Sequence, residues 1–455
     1  MFKSVNPATG EVLKERPELG DDALEAKIAK AHETYRSWRE TSYDTRTRLL
    51  SAIADRYEAE TDRLAETITR EMGKTLASAK GEVAKCAAAF RYYARHGPAM
   101  LEPRRIELGN GGTAETRYLP QGAVLAVMPW NFPHWQAVRF LAPTIMAGNV
   151  GLLKHASICQ GVAEEMDEIV RDAGAPEGLF QNLAIKSDKV NRVIDDPRVV
   201  AATLTGSEGA GRAVAERAGA NLKKVVLELG GSDPFVVMPS ADLDAAVSNA
   251  VTGRVQNAGQ SCICAKRLIV HEDIHDAFLS RFEAAMKDVR VGDPMKDDTD
   301  IGPLSSFEQR DTVVDQIARA TKGGARLAFG GEAMEGAGAY MTPGMLTDVP
   351  RDSDLRHEEL FGPVMMAFKV GGIDEAIALA NDIPYGLGSS VWTADRDEQE
   401  RFVRDIEAGM TAINQVTASS PEAPFGGVKL SGHGRELGPW GLHEFMNLKT
   451  VMLPG

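Results

Sequence analysis

The chain has 455 residues, of which 43% are hydrophobic and 25% charged, a composition typical of a water-soluble globular protein. Its 65 acidic residues outnumber its 51 basic residues, and the net charge of −14 argues against nucleic acid and anionic membranes as partners. No apolar run is long enough to span a bilayer. A chain of this length is predicted to form two or three domains.

The cysteine content and the first residues predict the compartment. The start of the chain, Met1 to Pro7, lacks the basic and apolar regions of a secretory signal. The four cysteines, at positions 86, 159, 262 and 264, are too few and too scattered for a disulfide framework. We therefore expect a reducing cytoplasm. No zinc-like spacing of Cys or His occurs, so no metal site is predicted.

The first 130 residues predict helices followed by strands. Apolar residues recur at helical spacing over 23–39, 44–72 and 78–96. Residues 104–118 flank a Gly-rich turn and predict a β-hairpin. The continuous apolar run 122–128 is typical of a strand that is buried on both faces.

From there to about residue 240, predicted strands alternate with helices, as in a parallel, doubly wound sheet. A second series follows to about residue 428, and the tail ends in a predicted edge strand. The predicted strands are 149–154, 199–205, 224–228 and 234–238 in the first series, 268–270, 364–370 and 389–392 in the second, and 448–453 in the tail.

Three short segments carry residues suited to acyl transfer. Cys262 follows a Gly-containing polar segment, where small residues let a substrate approach the sulfur. Glu228 stands between two leucines, a setting that raises the pKa of a carboxyl by desolvation. Asn131 offers an amide donor between two prolines. Together they predict a nucleophile, a base and an oxyanion donor.

Eight segments, in order along the chain, resemble the aldehyde dehydrogenase family. They are 6–11, 129–133, 147–154, 204–207, 228–231, 259–262, 358–363 and 424–429. The resemblance implies an α/β fold with a Rossmann-like parallel-sheet cofactor domain (1–103 and 119–229), an α/β catalytic domain (230–428) and a small β oligomerisation element (104–118 and 429–455). It also implies a homodimer or homotetramer.

The resemblance assigns catalytic roles to the three residues above. Cys262 attacks the aldehyde, and Asn131 holds the resulting oxyanion with the backbone N–H of the cysteine. Glu228 activates the water that cleaves the thioester. The alternatives are an ordinary buried cysteine, an Asx turn at Asn131 and a solvated Glu228.

The predicted cofactor site departs from the usual dinucleotide fingerprint, because Gly206–Gly211 is not a G-x-G-x-x-G sequence. Its small residues can still place a pyrophosphate at a helix N-terminus. Many NAD-preferring relatives carry a glutamate three residues after the lysine that corresponds to Lys154. Here that position is Ser157, which predicts a preference for NADP over NAD. The alternative is that Ser157 only caps the following helix. The predicted cofactor-binding residues are Trp130, Lys154, Ser157, Gly206, Ser207, Gly211, Leu229, Glu359 and Phe361.

The predicted substrate residues resemble those of the succinate-semialdehyde dehydrogenase branch. Trp135 and Arg139 share a helix face, and an arginine there selects an aldehyde with a distal carboxylate. Ser419 or Ser420 stands where that branch places a serine on the same carboxylate. Gln256 replaces a second arginine of the animal enzymes. The alternative for Arg139 is an ion pair.

Cys264 resembles the redox partner of the catalytic cysteine in the animal enzymes, although a bystander thiol is equally compatible with the sequence. Two other functions stay open: oxidation of glutarate semialdehyde or of an aliphatic or aromatic aldehyde, and a non-catalytic binding role. A CoA-acylating reaction is disfavoured, because Glu228 supplies the base that hydrolysis needs.

Overall fold

The computed structural model describes residues 1–454 as a mixed α/β protein. None of its helices is long and apolar enough to cross a membrane. The α-helices are α1 (Asp21–Trp38), α2 (Tyr43–Ala59), α3 (Thr61–Met72), α4 (Leu76–Met100), α5 (Pro133–Ala147), α6 (Gln160–Asp172), α7 (Val190–Asp195), α8 (Glu208–Ala220), α9 (Leu243–Val255), α10 (Glu272–Lys287), α11 (Phe307–Lys322), α12 (Ile373–Asn381), α13 (Arg396–Asp405) and α14 (Gly438–His443).

Twenty strands complete the fold. They are β1 (Phe2–Val5), β2 (Val12–Arg16), β3 (Arg104–Glu107), β4 (Thr113–Pro120), β5 (Ala123–Met128), β6 (Val150–His155), β7 (Phe180–Asn182), β8 (Val199–Thr205), β9 (Lys224–Glu228), β10 (Asp233–Val237), β11 (Ala265–His271), β12 (Arg326–Phe329), β13 (Gly344–Thr347), β14 (Val364–Val370), β15 (Tyr385–Gly386), β16 (Ser390–Trp392), β17 (Ala412–Ile413), β18 (Val428–Lys429), β19 (Gly432–His433) and β20 (Met446–Leu453).

The first sheet has the strand order β19-β9-β8-β5-β6-β7, and the five strands from β9 to β7 run parallel to one another. The chain runs outward from β5 through β6 to β7, then returns to the other side of β5 to form β8 and β9. Strand order therefore reverses between β5 and β8. In such sheets, ligands bind at the carboxyl ends of the strands beside the reversal.

The second sheet has the order β12-β13-β14-β11-β10-β16-β17. Strand β10 pairs in parallel with β11 and β16. Its placement corrects one prediction, because 234–238 was expected to continue the first doubly wound series. The turn after β9 carries the chain from the first sheet to the second, so the residues of this turn lie between the two.

The predicted hairpin forms β3 and β4, and the predicted tail strand pairs with β4 along its whole length as β20. The segment just before β20 is placed differently from the prediction, which assigned all of 429–455 to the oligomerisation element. Strand β19 pairs with β9, Gly432 opposite Glu228, and Ser431 O accepts a hydrogen bond from Leu229 N. This part of the tail therefore supports the turn that carries Glu228.

Most predicted elements are present, with shifts of a few residues at their ends. The predicted helix 44–72 is two helices, α2 and α3, which meet at Glu60, where the backbone leaves helical geometry. The β1–β2 hairpin was not predicted, because its turn through Asn6 and Gly10 is polar and its strands are short.

Candidate active site

The catalytic loop runs from the end of α9 to the start of β11 and has an unusual backbone. Asn257 and Ala258 have φ values of 53° and 52°, in the left-handed region that non-glycine residues rarely adopt. At Gly259, a Cβ would lie 2.2 Å from the carbonyl oxygen of Gly362. The fully buried Arg254 donates to the carbonyls of Gly259 (2.6 Å) and Ala265 (3.0 Å). These contacts compensate for the strain in the loop.

Side-chain amides join this loop to the loop that carries Asn131. Asn257 Nδ2 donates to the carbonyls of Asn131 (2.8 Å) and Gln260 (3.0 Å). Asn131 Nδ2 donates one hydrogen to the carbonyl of Gln260 at 3.1 Å, which leaves its second hydrogen free for another acceptor. Its Oδ1 accepts from Phe132 N, an interaction that defines the orientation of the amide.

Cys262 is half-buried and lies where two cavities meet. One cavity, of about 250 Å³, also contacts Asn131 and Glu228 and leads to the crevice of the first sheet. The other, of about 240 Å³, runs along α5. Burial raises the pKa of the Cys262 thiol to about 12, against the opposing effects of Arg139 and Lys266. The thiol is therefore protonated at neutral pH, and attack requires removal of its proton.

Lys266 lies directly behind the cysteine and is fully buried. Its Nζ donates to the carbonyls of Ser261 (2.8 Å) and Cys262 (2.7 Å) and lies 3.0 Å from Glu359 Oε1. One ammonium group thus joins the catalytic loop to the loop that carries Glu359. Its positive charge also favours the thiolate form of Cys262.

Glu228 ends β9 with a buried carboxylate. Neither oxygen has a hydrogen-bond partner among residues 1–454, and Oε1 lies over Gly426, where a Cβ would come within 2.5 Å. Burial and the nearby Glu436 carboxylate raise the pKa of Glu228 well above its ordinary value. A buried, unpaired carboxylate in a cavity with a thiol has the properties of a general base.

The cavity at the crevice brings six of the nine predicted cofactor residues together. Trp130 and Phe361 meet edge to face, with ring centroids 5.6 Å apart. Ser207 caps α8, whose N-terminus faces the crevice, by accepting from Ala210 N. The six residues are Trp130, Gly206, Ser207, Leu229, Glu359 and Phe361.

The three other predicted cofactor residues do not line this cavity. A Cβ at Gly211 would lie 2.7 Å from Leu229, so Gly211 allows close packing of α8 on the strand. Lys154, the last residue but one of β6, is buried and forms no ion pair within the described chain; burial lowers the pKa of its ammonium. The exposed Ser157 lies in the following turn. An unpaired, buried cation suits a phosphorylated ligand.

The second cavity contains the predicted substrate residues of α5. Trp135, Arg139 and Ser419 line it together with Cys262, and Gln256 is also in its wall. Trp135 Nε1 donates to Ser419 Oγ at 3.0 Å. Ser420 is not in the wall, and its hydroxyl bonds instead to Glu422. Of the two serines proposed from sequence, the structure therefore brings only Ser419 to this cavity.

Arg139 forms the ion pair that was the alternative to substrate binding, yet it also lines the cavity. Its Nε lies 2.7 Å from Glu436 Oε2, and its guanidinium carbon lies 4.4 Å from the Phe425 ring centroid. Its Nη2 has no hydrogen-bond partner among the described residues. The positive charge of Arg139 is thus largely offset, but one donor remains available.

The model of the aldehyde dehydrogenase family matches residues 1–451. The chain belongs to this family. Similar curated proteins include the succinate-semialdehyde dehydrogenase [NADP(+)] 1 of Mycobacterium tuberculosis, which is 52% identical over 452 residues and 99% of each chain. That of Mycolicibacterium paratuberculosis is 51% identical over 453 residues, which are 99% of this chain and 96% of the other.

Solved structures of family members share the fold. The succinic semialdehyde dehydrogenase from Streptococcus pyogenes in complex with NADP+ matches with a TM-score of 0.98 and 39% identity over the whole of both chains. An NADP-dependent enzyme of E. coli matches with a TM-score of 0.97 and 34% identity, over 100% of this chain and 95% of the other.

Several residues of this aldehyde dehydrogenase site were not found from sequence. Glu436 stands in the tail, far from α5 along the chain, and no local pattern pairs it with Arg139. Lys266 follows the cysteine by four residues, a spacing that could have suggested proximity, although not its burial. Lys85, on α4, belongs to an ordinary amphipathic helix pattern, yet it lines the substrate-side cavity.

Proposed function

We propose that this protein oxidises succinic semialdehyde to succinate, with NADP+ as the preferred electron acceptor. The observation that carries the proposal is the position of Cys262, between a cavity at the sheet crevice and a cavity lined by Arg139, Trp135 and Ser419. A thiol in this position can meet a cofactor on one side and an aldehyde with a distal carboxylate on the other. The names of the similar proteins agree with this assignment.

The first chemical step is attack of the Cys262 sulfur on the aldehyde carbon. The thiol proton has to leave to solvent, and the positive charges of Arg139 and Lys266, which favour the thiolate form of Cys262, assist its loss. The free amide hydrogen of Asn131 stabilises the oxyanion of the thiohemiacetal. Loss of such a donor typically lowers the rate ~10²–10³-fold.

Bound NADP+ supplies the hydride acceptor that converts the thiohemiacetal to a thioester. Trp130, Phe361 and Glu359 line the same cavity as Cys262, which supports a role for them in orienting the reacting end of the cofactor. Lys154 lies near the carboxyl end of β6 and Ser157 in the turn that follows, positions that support a role in binding the phosphorylated ribose. Hydrolysis then requires a water activated by Glu228, which releases succinate and restores the thiol.

The test is a comparison of initial rates of NADPH formation with succinic semialdehyde, glutarate semialdehyde, butanal and benzaldehyde. We expect the highest kcat/KM with succinic semialdehyde, and a higher value with NADP+ than with NAD+. A higher kcat/KM for an uncharged aldehyde would move the enzyme to another branch of the family. Absence of any turnover, together with an unreactive thiol, would favour the non-catalytic alternative.

Three further assignments belong to the same proposal. We expect a cytoplasmic enzyme, in keeping with four free cysteines, and a homodimer or homotetramer. We also propose three domains: a cofactor domain (1–103 and 119–229), a catalytic domain (230–428) and an oligomerisation element (104–118 and 429–455). Within the last of these, the segment that contains β19 pairs with the first sheet. The redox switch stays a prediction: Cys264 is buried, with Sγ 3.6 Å from the carbonyl of Gln256, and recovery of peroxide-treated enzyme by dithiothreitol tests it.

A further inference from the structure

A second cation, which was not predicted from the sequence, lines the substrate-side cavity. Lys85 projects from α4 beside Cys262, Trp135 and Arg139. Its Nζ donates to Ser419 Oγ at 2.8 Å and lies 4.4 Å from the Trp135 ring centroid. The side chain is half-buried, so its charge is only partly hydrated.

Lys85 and Arg139 differ in how their charges are balanced. Arg139 is paired with Glu436 at 2.7 Å. Lys85 forms no ion pair with any carboxylate of residues 1–454. Burial, and then Arg139 on α5, lower the pKa of Lys85 to about 8; Lys74 acts in the same direction, and Cys86 and Glu82 oppose it. An unpaired, partly desolvated ammonium group binds an anion strongly.

Ser419 completes a set of donors around the same point. Its Oγ accepts hydrogen bonds from both Lys85 Nζ and Trp135 Nε1. Its own hydroxyl hydrogen has no acceptor among the described residues and is free for a ligand. Lys85 uses one of its three N–H donors on Ser419, so two remain. A carboxylate placed here can receive hydrogen bonds from Lys85 and Ser419 together.

We propose that the Lys85 ammonium group, together with the Ser419 hydroxyl, binds the distal carboxylate of the substrate and determines the preference for a semialdehyde acid. This inference rests on the proposed function and deepens it. Arg139, whose charge is balanced by Glu436, then contributes less to carboxylate binding and more to the electrostatics of the Glu228–Glu436 pair, whose carboxyl pKa values it lowers.

The test compares wild type with Lys85→Met, Lys85→Arg and Arg139→Met. The measured quantity is the ratio of kcat/KM for succinic semialdehyde to kcat/KM for butanal, which cancels effects on Cys262 chemistry. Loss of a charge-assisted contact is worth roughly a 10- to 100-fold decrease in this ratio. We expect that decrease in Lys85→Met and a smaller one in Lys85→Arg, which keeps the charge.

A second measurement follows the same ratio as a function of pH, in wild type and in Lys85→Arg. In wild type, the ratio should fall as pH rises through about 8, because deprotonated Lys85 no longer attracts a carboxylate. In Lys85→Arg, the ratio should stay level over the same range, since a guanidinium group remains charged. A wild-type ratio that is level across this range would contradict the proposal even if Lys85→Met fails to fold.

The outcomes separate this inference from the proposed function. A wild type that does not prefer succinic semialdehyde overturns the proposed function. A wild type that prefers it, with Lys85→Met retaining the preference and Arg139→Met losing it, overturns the inference and leaves the proposed function in place. Loss of the preference in Lys85→Met, with much of it retained in Lys85→Arg, supports both.

Discussion

Glu228 combines two properties that conflict in most carboxylates, namely complete burial and the absence of a partner. Its two oxygens have no hydrogen bond among residues 1–454, and the neighbouring Glu436 carboxylate adds a repulsive charge. Folding therefore favours the neutral form of Glu228. Such a residue destabilises the native protein, and its presence in a cavity with Cys262 agrees with the proposed role as a general base.

Replacing Glu228 by Gln should separate the two halves of the reaction. We expect Glu228→Gln to form about one NADPH per active subunit and then to turn over slowly, because water activation is lost; general-base catalysis is worth ~10²–10⁴-fold. Rapid-mixing measurement of NADPH absorbance gives the burst and the steady rate. An unchanged steady rate in Glu228→Gln would show that another group activates water.

The same variant should alter the pH dependence of stability. Because the folded-state pKa of Glu228 is raised, the unfolded chain loses this proton at lower pH, and wild-type stability falls as pH rises above the ordinary Glu pKa. Glu228→Gln removes that loss. We therefore expect the Tm of the variant to exceed that of wild type by more at pH 8 than at pH 4.5, as measured by thermal denaturation.

We expect cofactor choice to depend on the position three residues after Lys154, which Ser157 occupies. Ser157 can donate to a ribose phosphate, whereas a glutamate would repel it and accept from ribose hydroxyls. We expect Ser157→Glu to lower the ratio of kcat/KM with NADP+ to that with NAD+ by roughly 10- to 100-fold, as one charge-assisted hydrogen bond is lost. Ser157→Ala is the matched control and should cause a smaller decrease. An unchanged ratio in Ser157→Glu would place the phosphate elsewhere.

The catalytic loop shows how one element is held in a strained conformation. Its backbone enters the left-handed region at Asn257, Ala258 and Gly259, and its geometry is maintained by Arg254. Only glycine fits at position 259, because a Cβ there would overlap the carbonyl of Gly362 at 2.2 Å. The position of Cys262 therefore depends on packing between the loop and a segment about a hundred residues later.

Gly259→Ala should displace the loop and lower kcat for charged and uncharged aldehydes alike. Overlap and backbone strain together cost roughly 1–3 kcal/mol, which thermal or urea denaturation can measure. Gly219→Ala is the control, since nothing lies within 4 Å of a Cβ at this position of α8. The control should keep its activity and gain up to ~1 kcal/mol of stability. Equal kinetics in the two variants would contradict the role assigned to Gly259.

The three-stranded sheet of β3, β4 and β20 exposes apolar side chains to solvent. All of β3 is exposed, and β20 carries the exposed apolar residues Leu448 (55%) and Met452 (66%) on one face. Its two outer strands also leave unpaired edges, which proteins commonly cover by association. A second copy of the chain is the partner that the family resemblance implies.

Replacing Leu448 and Met452 together by lysine should weaken that association. Charges on both sides of the interface would repel, because symmetric oligomers bring the same patch together. We expect light scattering after size exclusion to show a smaller species than wild type. Leu222→Lys is the control, because Leu222 is an exposed leucine in the turn that follows α8; this variant should keep the wild-type mass. A monomeric wild type, or a double variant of unchanged mass, would contradict the proposal.

Local patterns in the sequence predicted most elements and, with the family resemblance, the fold class; they also indicated three candidate catalytic residues, which line one cavity of the structure. The strand at 123–128 could be predicted because burial on both faces requires a continuous apolar run. Cys262, Glu228 and Asn131 could be found because each stands in a short motif whose residue types suit one chemical task. The family comparison confirms the fold class and the enzyme class.

Contacts between distant segments could not be read from such patterns. The partner of Arg139 is almost 300 residues away, the hydroxyl that meets Lys85 is 334 residues away, and β19 supports β9 from the tail. A lysine on an amphipathic helix has the same local signature whether it faces water or a cavity. Its surroundings depend on how the chain brings helices and loops together, and that arrangement decides which charges are paired and which remain free to bind a substrate.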